Sequence, residues 1–254
     1  MGNRIFPAAG LGCALAALLL STKALAYHPL ITDATDIQGE AGHQIEFGYD
    51  WSRTKDGGSN TIGRGLFAAY SYGLRHDLDF LIGVSHELTE ASEWGDPSIG
   101  LKWIFYNKDR LSFGIKPEIR MPTSKSHEAE GVGHGKTSYA LTFVLTRSTD
   151  FGAVNFNIAG EHVGYALPTT DRKNLYRISV APEWRLDERW LLAFDAGLNT
   201  NPDLSKTARM GYAELGLVYS PNKDLDLSLG VIRDVLDGAA DTVSATVGLT
   251  WRFR

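Results

Sequence analysis

The chain has 254 residues, 22% of them charged and 43% hydrophobic, with a formal charge of -5 and a single cysteine. A mildly acidic chain without a basic cluster lacks the electrostatic footprint of nucleic-acid binding, and one cysteine excludes a disulfide framework. No apolar run reaches the ~20 residues that a membrane-crossing helix needs.

Residues 1–26 read as a secretory signal peptide, with Arg4 as the positive n-region, Leu11 to Leu20 as the apolar h-region and Ala24-Leu25-Ala26 as the cleavage site. Cleavage before Tyr27 removes Arg4, Lys23 and no acid, so the formal charge moves from -5 to -7. It also removes Cys13, which lies inside the h-region behind Gly10-Leu11-Gly12 rather than in a lipoprotein context. Stability must then come from strand pairing and burial alone.

Residues 27–42 carry Pro29, Asp33, Asp36, Gly39 and Gly42 without periodicity, and read as an extended periplasmic lead-in, long enough to fold into a barrel as a plug. Period two begins at residue 43. Ile45, Phe47, Tyr49 and Trp51 share one face, and Gln44, Glu46, Gly48, Asp50 and Ser52 the other, as in a two-sided strand. The pattern recurs at Leu66, Ala68, Tyr70 and Tyr72; at Leu78, Phe80, Ile82 and Val84; at Ile99, Leu101, Trp103 and Phe105; and at Leu111, Phe113, Ile115 and Ile119. It continues through Tyr139 to Leu145, Val154 to Ile158, Tyr176 to Trp184, Trp190 to Leu198, Ala213 to Tyr219, Leu225 to Val231 and Val243 to Phe253. That makes about twelve strands of roughly the length a tilted membrane strand requires.

Loop lengths sharpen this reading, because bacterial barrels alternate short periplasmic turns with longer extracellular loops. Short connections fall near His76-Asp77, Asn107 to Arg110, Ser148 to Gly152, Asp187 to Arg189 and Ser220 to Lys223. Longer ones fall at Glu90 to Pro97, Pro122 to Lys136, Ala166 to Lys173, Thr200 to Lys206 and Asp234 to Ala240, with Lys55 to Asn60 intermediate. Tyr72, Phe80, Phe105, Trp184, Trp190, Tyr219, Trp251 and Phe253 would then gather at the periplasmic rim, and Trp51, Tyr139 and Tyr176 at the outer one. The sequence therefore predicts an all-β, transmembrane, antiparallel up-and-down barrel over residues 43–254. Pro117 and Pro182 fall mid-strand, where a missing ladder donor calls for a bulge.

The faces predicted to point inward carry charges of both signs. Lys102, Lys116, Glu118, Arg120, Glu161, Arg177, Glu183, Arg185, Asp195, Arg209 and Glu214 are the expected lining of a solute pathway, with Asp79, Glu87, Asp226, Asn155 and Asn157 beside them. The same groups could instead pair across a narrow lumen and fill it. In the loop Ser126 to His134, two histidines and two carboxylates match no rigid metal spacing, and the segment reads as a solvated lid. His86 and His162 fall on the outward face near the outer rim without an evident serine partner, as interfacial polar residues, and Arg64 near the same rim reads as either snorkelling or meeting lipopolysaccharide phosphates.

Three segments carry a resemblance. His28-Pro29-Leu30-Ile31-Thr32-Asp33 followed by Gln38-Gly39, then Gly95-Asp96-Pro97-Ser98-Ile99-Gly100-Leu101-Lys102, and Pro117-Glu118 leading to Met121-Pro122-Thr123 resemble the transporter-like outer-membrane barrels of the phenol meta-pathway degradation family. The end Gly248-Leu249-Thr250-Trp251-Arg252-Phe253 is similar to the aromatic-ended closing strand of outer-membrane proteins, displaced by one residue by Arg254. The resemblance implies uptake or export of small solutes, aromatic or hydrophobic ones among them, and brings no catalytic residue. The expectation is a non-enzymatic outer-membrane channel without a cofactor. Its partners would be outer-membrane lipids and lipopolysaccharide, the barrel-assembly machinery and a small-molecule solute, with no nucleic acid. A lipid-modifying enzyme and a surface-binding barrel acting through its loops are the alternatives.

Overall fold

The computed structural model describes residues 29–56, 58–89, 92–236 and 241–254; the expected signal peptide, with its cleavage site, lies outside them. Alternation of apolar and polar side chains produces twelve strands: β1 (His43–Asp56), β2 (Ser59–Arg75), β3 (Leu78–Glu87), β4 (Ser98–Lys108), β5 (Leu111–Arg120), β6 (Ser138–Ser148), β7 (Gly152–His162), β8 (Asn174–Arg185), β9 (Trp190–Thr200), β10 (Arg209–Asn222), β11 (Leu225–Asp234) and β12 (Asp241–Phe253). Each pairs antiparallel with its chain neighbours. β12 pairs with β1 from His43↔Phe253 to Lys55↔Asp241, which closes the barrel. A single helical turn, α1 (Lys125–Ala129), capped by the Ser124 hydroxyl, lies in the loop between β5 and β6.

The two faces are sorted in the sense opposite to a soluble barrel. Phe47, Leu66, Leu101, Ile119, Leu141, Ile158, Leu215 and Leu229 are exposed on the outside, whereas Gln44, Glu46, Asp79, Lys116, Thr142, Asn155, Asn157 and Asp195 are buried inside. An apolar exterior around a polar interior is what a bilayer demands of a closed sheet.

At one end the strands join through short turns, and there the aromatics gather. Trp190 meets Tyr219, Trp251 meets Phe253, Phe253 stacks on His43, and Trp103, Phe105, Phe113 and Tyr106 form a chain of ring contacts. At the opposite end the connections are longer, except between β1 and β2. There the expected intermediate loop is a two-residue connection, so that this hairpin runs in register up to Asp56↔Ser59. At the turn end, Asp109 (φ 52) and Arg110 (φ 65) both adopt the left-handed conformation of a tight hairpin.

The bulges expected at the two prolines are absent. Pro117 pairs in register with Leu141, and Pro182 with Val154. On its other side each proline sits at a gap in an otherwise constant register: Gly100↔Glu118 resumes at Trp103↔Ile115, and Val180↔Ala196 resumes at Glu183↔Ala193. The sheet skips the missing donor instead of inserting a residue. The irregularity in β4 lies further along, between Trp103 and Tyr106, where the Ile104 N–H bonds Asp77 of the neighbouring turn.

The segment before β1 does not extend away as a periplasmic lead-in but takes the other course that its length allows, as a plug in the barrel. Residues 29–42 run inside the barrel, because Thr32, Asp33, Thr35 and Gln38 find polar partners on the inner wall, and glycines on that wall leave room. At Gly216 a Cβ atom would come within 2.7 Å of Pro29, and at Gly73 it would collide with the Gly39 carbonyl. Leu30 supplies the apolar contact of this segment, buried against Ala181, Ala193 and Leu191.

Candidate functional site: the occupied lumen

The inner wall and the N-terminal segment form one polar network. Asp33 sits at its centre, 1% exposed, with its two oxygens 2.8 Å from Lys102 Nζ and 2.7 Å from Lys116 Nζ. Its backbone N–H donates to Asn157 Oδ1 at 2.7 Å, and the Asn157 amide donates back to the Asp33 carbonyl at 2.8 Å. Burial pushes the Asp33 carboxyl up, but the two ammonium groups hold it below the usual carboxylate range. One residue earlier, Thr32 gives its N–H and its hydroxyl to Asp195, at 2.6 and 2.7 Å, and the Tyr212 hydroxyl completes that carboxylate's shell at 2.9 Å. The Thr35 N–H donates to the Thr146 hydroxyl and the Gln38 N–H to Asp79. The segment thus crosses from β3 past β5, β6 and β7 to β8 and β9, tied at each step.

Of the eleven residues expected to line a pathway, Lys102, Lys116 and Asp195 are consumed by this segment. Glu118, Arg120 and Glu161 form a second group nearer the loop end, where Arg120 bonds both carboxylates. Arg177 and Glu214 are buried on the inner face, and Glu183 accepts a 2.6 Å bond from Asn155. Arg185 is exposed at the turn-end rim of β8. Arg209 is a correction: it shares the parity of Ala213, Leu215 and Leu217 and is exposed at the loop end of β10, on the outer surface. The central residue, Asp33, was missed because no strand periodicity points to it.

Beside the segment, toward β1, β2 and β3, remains a cavity of about 810 Å³, lined by Asp36, Gln38, Gln44, Glu46, Asp79 and Lys102 and by Arg252 near the turn-end mouth. Gln44 accepts from Arg252 Nε at 3.0 Å and donates to Glu46 at 2.6 Å. Above it, the wall of β12 and β1 is lined by small hydroxyls, Thr242, Ser244, Thr246, Ser52 and Thr54. Such a wall presents hydrogen-bonding groups without filling the lumen.

At the loop end, the segment Ser126 to His134 packs on its neighbours rather than floating as a solvated lid. Asp96 accepts the His134 N–H at 2.8 Å and the Thr123 N–H at 3.1 Å. Glu128 accepts the N–H groups of Ala166 and Leu167, and His127 lies 3.2 Å from Glu93. Burial raises the Asp96 carboxyl, and the bonds from His134 and Thr123 more than reverse this, leaving it below its ordinary value. His127, His134 and Glu128 therefore turn to separate partners, and Glu130 is exposed. On the outer face His86 packs edge-on against Trp94, and His162 bonds Asn174.

No family model matches the chain, and no curated protein matches it either. Solved structures do. The COG4313 outer-membrane channel from Pseudomonas putida F1 is 12% identical with a TM-score of 0.66, covering 87% of this chain and 98% of that one. The KdgM porin, solved in complex with disordered oligogalacturonate, is 10% identical with a TM-score of 0.60, covering 83% and 99%. The CymD monoaromatic hydrocarbon channel is 9% identical with a TM-score of 0.52, covering 85% and 90%. The chain has the fold of outer-membrane channel barrels. At these identities the likeness establishes the fold.

Proposed function

We propose that the chain is an outer-membrane channel for small solutes whose lumen is narrowed by its own N-terminal segment. The observation that carries the reading is the ring of polar anchors on residues 32–38 beside a polar cavity of about 810 Å³. A barrel that served only as a scaffold would gain nothing from leaving that space beside an ordered strap. The short-turn end with its aromatics is the periplasmic end, and the loop end with α1 faces outward.

The finer reading is a transporter-like barrel of the phenol meta-pathway degradation family, passing small aromatic or hydrophobic solutes. The motifs quoted above support it, as does the shared fold with a monoaromatic hydrocarbon channel. Planar-bilayer conductance of the refolded chain, beside a variant lacking residues 29–38, tests the channel. We expect small conductance from the intact chain and larger conductance from the variant. Silence from both, with the barrel folded, would overturn the reading. Uptake of phenolic against sugar-acid solutes by a deletion strain decides the solute class.

A further inference from the structure

We infer that the outer rim of this barrel carries a docking surface for the phosphorylated headgroup of an outer-leaflet glycolipid of the lipopolysaccharide type, on the arc formed by β10, β11, β12, β1 and β2. The inference rests on the membrane reading above and concerns the outer wall, not the lumen.

Five cations sit on that arc, all exposed, at the loop end of their strands: Arg53 and Lys55 on β1, Arg64 on β2, Arg209 on β10 and Arg233 on β11. Strand parity directs each of them outward. Arg53 alternates with buried Ser52 and Thr54, Arg64 follows the parity of Leu66, and Arg233 that of Leu229 and Val231. Register makes three of them neighbours. Arg53 pairs with Val243, which pairs with Arg233, two strand spacings or about 10 Å away. Arg53 also pairs with Ile62, which puts Arg64 on the diagonal, about 7–8 Å off. Among the described outward residues of this arc the acid is Asp241, 3.6 Å from Arg233, with both side chains more than half exposed.

The remaining strands differ. At the same end their outward positions carry Val84, Ile99, Ile119, Tyr139, His162, Tyr176 and Leu198, with no lysine or arginine. The cations are therefore gathered on one side, which general interfacial snorkelling does not require.

Two features select a lipid over a free anion. Guanidinium groups bind phosphate oxygens in pairs, and clustered arginines suit a headgroup bearing more than one phosphate. Directly below them Leu66, Leu229, Val231 and Val247 are exposed and apolar, ready for the acyl chains of the same molecule. Inorganic phosphate would use the upper half of this surface and none of the lower.

The test is native mass spectrometry of the folded chain in detergent, with added lipopolysaccharide or its dephosphorylated form as probe. The intact chain should retain the phosphorylated form in preference. R53Q/R64Q/R233Q should weaken retention roughly fivefold per arginine and on the order of a hundredfold together, while R53K/R64K/R233K, which keeps the charge and loses the paired guanidinium bonds, should fall between the two. Heat-modifiable gel migration reports the fold, and conductance should be unchanged, which separates this inference from the channel reading. Equal retention of both probes by the intact chain, or equal retention by the glutamine variant, would overturn it. Were the glutamine variant not to fold, the comparison of the two probes on the intact chain decides alone.

Discussion

Asp33 bridges two lysines of the inner wall. Each ammonium sits at low exposure within 2.8 Å of this one carboxylate. Removing one partner of such a group leaves charge stranded in a low dielectric, which costs about 3–5 kcal/mol. Asp33→Asn should therefore loosen the segment and raise single-channel conductance, with the barrel still closed by gel migration. Adding Lys116→Met, which removes one of the two cations that faced the lost carboxylate, should return part of the low-conductance behaviour.

Asp96 plays a comparable part at the loop end, and its pH response has a definite sign. Its folded pKa lies below the ordinary value, so its contribution to loop order is fully present above the unfolded pKa and disappears as pH falls through the folded one. Protection factors for hydrogen exchange of residues 121–137, taken relative to the intrinsic rate at each pH, should stay high from neutral pH down to about pH 4, where free aspartate titrates, and fall below it. Asp96→Asn should give low protection factors at neutral pH and flatten their pH dependence.

At the scale of elements, the N-terminal segment is shaped by what the wall lacks. Gly216 faces Pro29, so Gly216→Leu fills the space that the tip of the segment occupies. The expected outcome is displacement of residues 29–31, seen as new protease sensitivity and a larger conductance. Gly216→Ala, whose methyl also meets Pro29 at 2.7 Å, should give the same change in smaller measure.

The hairpin between β4 and β5 stores strain instead. Asp109 and Arg110 both hold positive φ, which costs an L-residue roughly 1–2 kcal/mol. Asp109→Asn with Arg110→Gly matches the residues that this turn favours and should raise the urea midpoint in detergent, by about 1 kcal/mol of stability. The Arg110–Asp150 ion pair lost in the exchange is solvent-exposed and subtracts little.

For the whole molecule, the wall was legible in the sequence and its contents were not. Period two from Ile45 to Phe253 identifies which side chains face out, and loop asymmetry identifies the two ends. Arg209 went astray through a parity slip, since Ala213 and Leu215 already assign it to the outer face. The prolines misled because the expected answer to a lost donor was an inserted residue, whereas the ladder omits two pairs and keeps its register. The path of residues 29–42 was unreadable for a different reason. Its anchors are single polar contacts to strands up to 163 residues away, as for Thr32 and Asp195, and no local pattern encodes such a pairing. The trace in the wall is the glycines at 73, 216 and 230, which alternate like any other inward position.

The β1–β12 seam joins residue 43 to residue 253, a contact of nearly maximal sequence separation. Such contacts carry the largest loop-closure entropy and form late. The segment inside the lumen leads directly into β1, so the plug is tethered to the last pair of strands to meet. Its ties to Lys116 on β5 and Asp195 on β9 reach across the barrel from that seam, and they brace the closed wall from within.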